Sequence, residues 1–423
     1  MQMVLAVFVA TVLIANICGT PIPSCLIGAA LGTIIYEAIT GFKSPRFISS
    51  CGATVSAVQG ALILGGSNNY IAVAIGGVII ALVYILFALL IKFGGRKLFN
   101  RIFPPIVVGP VTMVIGLNLV SFIPGYLGFT DPTTGALLTK DAFAAAVQTQ
   151  MIPRLVALFT LLITALVSHY GKGFLKTLSF LVGLLSGFIL AVIMEFSRAY
   201  DFGIAGHYTN IKWFNPDDFA FMKWANSPFS WKQLPDILLL FIPVSICAAL
   251  EHYSDHKTLS NILGTDLTVN PGLDRTLIGD GVASAVGAAV GGLPNTSYGE
   301  SIATIGFSKV GSVWITLVAA LIVGVLGFLA PVTAFISSIP SAVFAGCAFI
   351  LYGYIAESGL KTLFNSHVDL ADNRNLIIIS VILTSGVSGV ALFSPSFKGT
   401  SLAMVLGVLL NLILKPSKNK VSQ

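Results

Sequence analysis

Residues 293–301 read Leu-Pro-Asn-Thr-Ser-Tyr-Gly-Glu-Ser, and this stretch decides the fold. It lies between two apolar blocks, 282–292 and 310–335, each with the composition of membrane. An ionisable group at bilayer depth costs on the order of several kcal/mol, so it faces a cavity or a partner. Pro294 and Gly299 forbid a continuous helix through the stretch. Broken backbone is tolerated at that depth only where protein or a water-filled cavity satisfies its amides. The stretch is therefore expected to be a half-strand leading into a half-helix, with Glu300 near the helix N-terminus. The alternative is an ordinary re-entrant loop or kink without a ligand.

Composition agrees with the membrane reading. The chain has 423 residues, 56% hydrophobic and 9% charged, with mean hydropathy +0.92. Soluble domains carry about a quarter charged residues, so this is a polytopic membrane protein with the lipid bilayer as its solvent. The net charge of +6 is spread over loops and argues against a nucleic-acid partner. Five cysteines lie mostly in apolar runs and form no CxxC pair, so neither disulfides nor metal ligands are expected. No cleavable signal peptide is visible, because the apolar run 1–18 opens without a basic lead. That abrupt start suggests that a short cytoplasmic N-terminus is missing from the chain.

Apolar runs near the length of about 20 residues that spans a bilayer fall near 1–18, 24–41, 69–93, 104–123, 152–170 and 174–196. A second set falls near 233–255, 273–291, 309–335, 339–356, 373–393 and 399–415. Segments 46–64 and 293–308 are shorter and interrupted by Gly and Ser. The sum is about fourteen crossings, twelve ordinary and two broken. Trp213, Trp224 and Trp231 in the long connection 197–232 suit an interfacial aromatic belt.

With the N-terminus inside, the inner loops hold Lys43, Arg46, Lys92, Arg96, Lys97, Arg101, Lys172, Lys176, Lys257, Arg275, Lys309, Lys361, Arg374, Lys415, Lys418 and Lys420. That is 16 of the 23 basic residues. Both termini are thus expected in the cytoplasm, in a multi-pass protein of the plasma or bacterial inner membrane.

The broken segments stand third and tenth. They are seven apart, an odd number, so a second seven-span unit inserts upside down. Pro104–Gly109–Gly116 echoes Pro340–Gly346–Gly353, with the glycines seven apart in each. Inverted repeats with paired discontinuous helices point to a secondary transporter whose site lies between the repeats.

Four acids are expected at membrane depth: Glu251, Asp255, Asp280 and Glu300. Glu251 and Asp255 are four apart and share a helix face. Two carboxylates that close cannot both ionise cheaply, so the pair can hold a proton near neutral pH. The alternative is a solvated cluster with His256 and Lys257 at the cytoplasmic interface. Asp280, in Gly279-Asp280-Gly281, is expected to hydrogen-bond the broken backbone nearby. Glu37 reads as an ordinary helix-end acid. Thr296 and Ser297 suit backbone bonding better than ligand contact. His252-Tyr-Ser-Asp255-His256 is similar to an inverted zinc-hydrolase motif, though no third ligand motif follows. Walker, GxSxG and dinucleotide fingerprints are absent from the sequence.

Glu251-His252-x-x-Asp255 followed by Pro294-Asn295-Thr296-x-Tyr298-Gly299-Glu300, in fourteen spans, resembles the nucleobase–ascorbate transporter family. The Tyr-Gly-Glu form is most similar to its bacterial uracil–proton symporters, and the likeness runs from Gln2 to about Lys415. The resemblance implies an all-α polytopic fold of two inverted seven-span repeats, whose two broken spans contain short antiparallel strands paired at mid-membrane. It implies a core domain in two parts, 1–93 and 233–335, and a gate domain in two parts, 94–232 and 336–423. It places substrate binding on Glu251, Glu300, Gly299, Gly52 and Ala53, and proton coupling on Glu300, Asp255 and Glu251. Tyr298, Tyr352, Ser50 and Asp280 are the implied supporting residues. No metal or cofactor is implied, since the proton gradient supplies the energy. The apolar gate spans could pair as a homodimer.

Several residues depart from the family pattern. Gly52 stands where uracil members tend to place an aromatic residue, Asp255 where some have His, and Met3 where a His is common. Ser301 and Ala303 depart from the signature after Glu300, and Glu357 replaces a small residue. The expected function is proton-coupled uptake of a nucleobase, uracil first and xanthine, uric acid or another purine second. Three other classes compete. An anion transporter of sulfate-permease architecture is opposed by the two acids and by the chain's end soon after Lys420. A zinc hydrolase needs a bound metal, and a sensor or channel would have no coupled transport.

Overall fold

The computed structural model describes residues 1–66, 68–94, 104–130, 138–139, 150–208, 213, 219, 224, 226–392 and 398–414. Arg96, Lys97, Arg101, Lys415, Lys418 and Lys420, counted above for orientation, lie outside the described residues.

The chain is mostly helical and follows the expected order of spans. The first half contains α1 (Gln2–Cys18), α2 (Ile22–Ile39), strand β1 (Ile48–Ser50), α3 (Gly52–Ile63), α4 (Tyr70–Leu89), α5 (Pro105–Leu119), α6 (Met151–Tyr170) and α7 (Ser179–Phe196). The second half contains α8 (Leu234–Leu263), α9 (Leu273–Ala289), strand β2 (Asn295–Ser297), α10 (Gly299–Ser308), α11 (Val313–Phe328), α12 (Ser341–Asn365), α13 (Asn373–Val387) and α14 (Thr400–Ile413). Seven of these helices are long and apolar enough to cross a membrane alone. Counting α11 with the short helix Ala330–Ser337, bent from it by 78°, gives eight. The others are shorter or less apolar, and α3 and α10 are half-helices, as their Gly/Ser interruptions predict. Trp213 and Trp231 are exposed, as an interfacial belt requires.

The echo between the halves has a structural meaning at its prolines. Pro104 and Pro340 cap α5 and α12 in the same extended conformation, with φ/ψ of −72/157 and −61/146. Proline suits that position because a helix start has no use for its missing N–H.

Helices pack in two groups. In one, α9 lies against α2 and α4, and α2 against α11; in the other, α12 lies against α5 and α6, α6 against α7, and α13 against α5 and α14. Helix α8 touches α4 in the first group and α14 in the second. Lipid supplies little hydrophobic drive between helices, so small residues that let backbones approach set these contacts. Gly116 is one of the tight cases: a Cβ there would sit 2.4 Å from Ala356 N and 2.8 Å from Tyr352 O, both backbone. Gly116→Val is therefore expected to force α5 and α12 apart and cost about 1–3 kcal/mol or more. The measurement is thermal unfolding in detergent, and an unchanged midpoint would contradict this packing.

The strands form a two-stranded antiparallel ribbon, with Ile48 opposite Ser297, Ser49 opposite Thr296 and Ser50 opposite Asn295. Cys51 N–H donates to Pro294 O at 2.9 Å and extends it. So short a sheet at membrane depth leaves edge groups unpaired, and side chains from the surrounding helices satisfy them. Thr33 Oγ1 of α2 bonds both backbone groups of Ile48 at 3.0 Å. Asn295 Nδ2 donates to Gly28 O at 2.8 Å and to Ala283 O at 3.2 Å. Ser284 Oγ of α9 donates to Asn295 O. Thr11 of α1 meets Ser49 hydroxyl to hydroxyl at 2.6 Å.

Candidate substrate site

Each strand hands directly to a half-helix: β1 through Cys51 to α3, and β2 through extended Tyr298 (φ −112, ψ 119) to α10. The first amides of a helix have no partner within it and carry its positive dipole end. Gly52 and Ala53 supply such amides on α3, Gly299 and Glu300 on α10, and all four line one cavity of about 180 Å³. That volume is well below the roughly 300–1,000 Å³ of sites for drug-sized ligands, so it suits a small ring.

Glu251 of α8 lines the same cavity, so the two acids singled out from sequence share one space. Neither carboxylate has an ion-pair partner among the described residues. Thr296 and Tyr298 complete the side formed by the broken segments, and Thr112 and Ile115 of α5 with Tyr354, Ile355 and Ser358 of α12 form the facing side. A Cβ on Gly52 would meet only the flexible ends of Ile355, at 3.4 Å, and Ile14, at 3.8 Å. A Cβ on Gly299 would meet nothing within 4 Å. Both glycines leave their amides open to whatever occupies the cavity.

The remaining expected residues lie elsewhere. Asp280 is fully buried behind the cavity and braces the ribbon: its Oδ2 accepts from Ser297 N–H at 3.3 Å and Thr296 Oγ1 at 3.4 Å. The same oxygen lies 2.6 Å from His252 Nδ1. This is the backbone role read from its sequence context. Ser50 and Tyr352 are buried outside the cavity wall. On α12 it is Tyr354, two residues on, that reaches the cavity, with its hydroxyl 2.6 Å from Ser168 Oγ of α6. Asp255 also stands off the wall and is ion-paired to Arg46 at 2.6 Å.

Sequence reasoning missed Arg46 and Glu37. The sequence counts Arg46 among the inner-loop bases, yet it is wholly buried. Its guanidinium reaches Asp255 and His256, and its backbone N–H donates to the buried carboxylate of Glu37 at 3.0 Å. The available signal is Pro45-Arg46-Phe47-Ile48, a base followed directly by two apolar residues.

A profile of the permease family Xan_ur_permease matches residues 1–394. The chain belongs to that family. It is 36% identical over 419 residues to the uracil permease of Bacillus caldolyticus, spanning 98% of this chain and 90% of that one. The uracil permease of Bacillus subtilis (strain 168) is 34% identical over 427 residues, 99% of this chain and 92% of the relative. That of Escherichia coli (strain K12) is 31% identical over 418 residues, 98% and 90%. Among solved structures, the transmembrane domain of the cyanobacterial bicarbonate transporter BicA superposes with a TM-score of 0.66 at 18% identity, covering 97% of this permease and 94% of that chain. SLC26A9 does so with 0.66 at 12% identity, covering 97% and 63%. At these identities the likeness concerns the fold alone.

The permease is thus a multi-pass transporter and not an enzyme. The geometry of the two histidines agrees. Their rings stack 4.4 Å apart, with one Nδ1 on Asp280 and the other 2.5 Å from the Arg46 guanidinium. A guanidinium that close would repel any metal cation sought by this pair.

A larger crevice of about 950 Å³ lies beyond the site toward the C-terminal end of α3. It is lined by Ser56 and Gln59 of α3, Asn118 of α5, Val244 of α8 and Thr400 of α14. Along α3, α5 and α8 its walls begin about one helical turn from those of the small cavity, so the two spaces are stacked on the same helices.

Proposed function

We propose that this permease carries a nucleobase, uracil by preference, together with a proton into the cell. The observation that carries the reading is the single small cavity where Glu251 and Glu300 meet the amide ends of two half-helices. Uracil is neutral, with ring N–H donors beside carbonyl acceptors. A carboxylate accepts from N–H, and helix N-terminal amides donate to the carbonyls, so the cavity presents the complement of that edge. The uracil permeases among its relatives support the same substrate class. Glu251 and Glu300 are also the groups able to take up a proton with the base, so the proton gradient drives accumulation and no cofactor is called for.

The two helix groups support a division into a core, residues 1–93 and 233–335, that moves against a gate, 94–232 and 336–423. In that scheme the 950 Å³ crevice is the outer approach to the site. Both termini face the cytoplasm of a plasma or inner membrane, and the gate helices are where two copies would meet.

Xanthine or another oxopurine is the second reading, favoured by the missing side chain at Gly52. An anion is the competing class, since the fold is also that of a bicarbonate transporter's membrane domain. Two acids in so small a cavity repel an anion. Thermal-shift screening of the purified protein against uracil, xanthine, sulfate, bicarbonate and fumarate separates these. Stabilisation by uracil or xanthine is expected, and stabilisation by an anion alone would overturn the reading.

A further inference from the structure

We propose that Arg46 is a positioning residue for transport: it holds Asp255 as one half of a permanent ion pair, which removes that acid from proton exchange and leaves Glu251 and Glu300 as the carriers. The inference rests on the proton-symport reading and refines it, because sequence alone places Asp255 among the proton-coupling acids.

Arg46 lies in the connection between α2 and β1 and has no exposed surface. Its Nη2 is 2.6 Å from Asp255 Oδ2, and its Nη1 is 2.5 Å from His256 Nδ1. A guanidinium has donors only, so His256 Nδ1 accepts and that ring carries its proton on Nε2. Nε2 lies 3.3 Å from both Tyr36 Oη and Ser44 Oγ, either of which can accept from it. A proton arriving at Asp255 would detach the guanidinium from its carboxylate and leave a full positive charge unpaired in the interior. The Asp255 side chain is 23% exposed and Arg46 not at all, so the cost of breaking the pair falls on the buried cation.

Geometry separates the two acids of α8 as well. Glu251 and Asp255 are one turn apart on the same helix, but Glu251 lines the substrate cavity and Asp255 does not. The pair also has a mechanical effect. It ties α8, which carries Glu251, to the chain four residues before Ser50, just ahead of Gly52 and Ala53. Within that side of the cavity, Glu251 is thereby held at a fixed spacing from the amides of Gly52 and Ala53. The other titratable groups around the pair are Glu37 and Tyr36 from α2, Glu251, His252 and His256 from α8, and Asp280 from α9. Of these, only Glu251 opens onto the cavity.

The test uses the full chain in proteoliposomes, with Arg46→Gln, Asp255→Asn and the double variant. Two readouts are compared: uracil accumulation driven by an inward proton gradient across a range of outer pH, and gradient-free exchange of labelled for unlabelled uracil. Arg46→Gln leaves the half-buried Asp255 carboxylate without its counter-ion and is expected to slow both by about tenfold. The double variant, a neutral amide pair, is expected to recover both to within about threefold of wild type, with the wild-type pH profile. Recovery of folding by the double variant where Arg46→Gln does not fold supports the proposal equally. A double variant that exchanges but cannot accumulate would show that Asp255 carries the proton. A double variant no better than Arg46→Gln, or an Arg46→Gln that transports normally, also overturns it. Wild-type accumulation that ignores the proton gradient is a different failure, that of the symport reading, and leaves the exchange readout to judge the pair.

Discussion

Replacing Glu300 by Gln is expected to abolish proton-driven accumulation of uracil, and Glu251→Gln to do the same. The amide has the shape of the carboxylate but turns one acceptor oxygen into a donor NH2 and cannot be ionised. Facing a ring N–H, that NH2 puts donor against donor. Losing a hydrogen bond to a charged group is worth about 1.5–3 kcal/mol, or about 10- to 150-fold in affinity. Coupling fails in addition, because the substituted group cannot cycle between charged and neutral forms. Uptake of labelled uracil into proteoliposomes under an inward proton gradient measures both losses together. Gradient-free exchange measures binding and movement alone, so a variant that exchanges without accumulating has lost the proton specifically. Normal accumulation by both variants would show that the cavity is not the site.

The second large effect concerns the ligand. N1-methyluracil and N3-methyluracil are expected to compete with uracil about a hundredfold less well, or worse. A site built to accept from N–H rejects an analogue without it by as much as about 10⁴–10⁵-fold, because its own polar group is left buried and unpaired. The methyl group must also fit within about 180 Å³ already occupied by the ring. Competition by either analogue at the level of uracil would show that the corresponding N–H does not face a carboxylate. If both compete equally well, recognition by Glu251 and Glu300 is wrong even if the protein moves uracil.

The break at Pro294 and Gly299 could be read from sequence because it has a local cause. Two residues that cannot continue a helix, in a place without water, leave few options for the backbone, and strand 295–297 with helix 299–308 follows. Glu251 and Glu300 could be read for the same kind of reason, since an acid at bilayer depth demands an explanation. Arg46 was hidden because its partners are 209 and 210 residues away, and a base beside a turn is ordinarily solvated. Glu37 reads as solvated because an acid at a helix end ordinarily is, although its partner, the Arg46 N–H, is only nine residues on. The sequence locates the span α12 but not its rotation. Tyr352 and Tyr354 lie well apart around a helix that advances 3.6 residues per turn, and only packing against α6 decides which one meets the cavity.

The ribbon of three paired residues also limits how this architecture can change over time. Successive side chains of a strand point opposite ways, so losing or gaining one residue within 48–50 or 295–297 would turn every later side chain to the wrong face. It would part Thr33 and Asn295 from the backbone they satisfy and carry the amides of Gly52 or Gly299 off target. New preferences among ligands therefore have to arise by exchanging one residue for another, while the length of both crossings stays frozen.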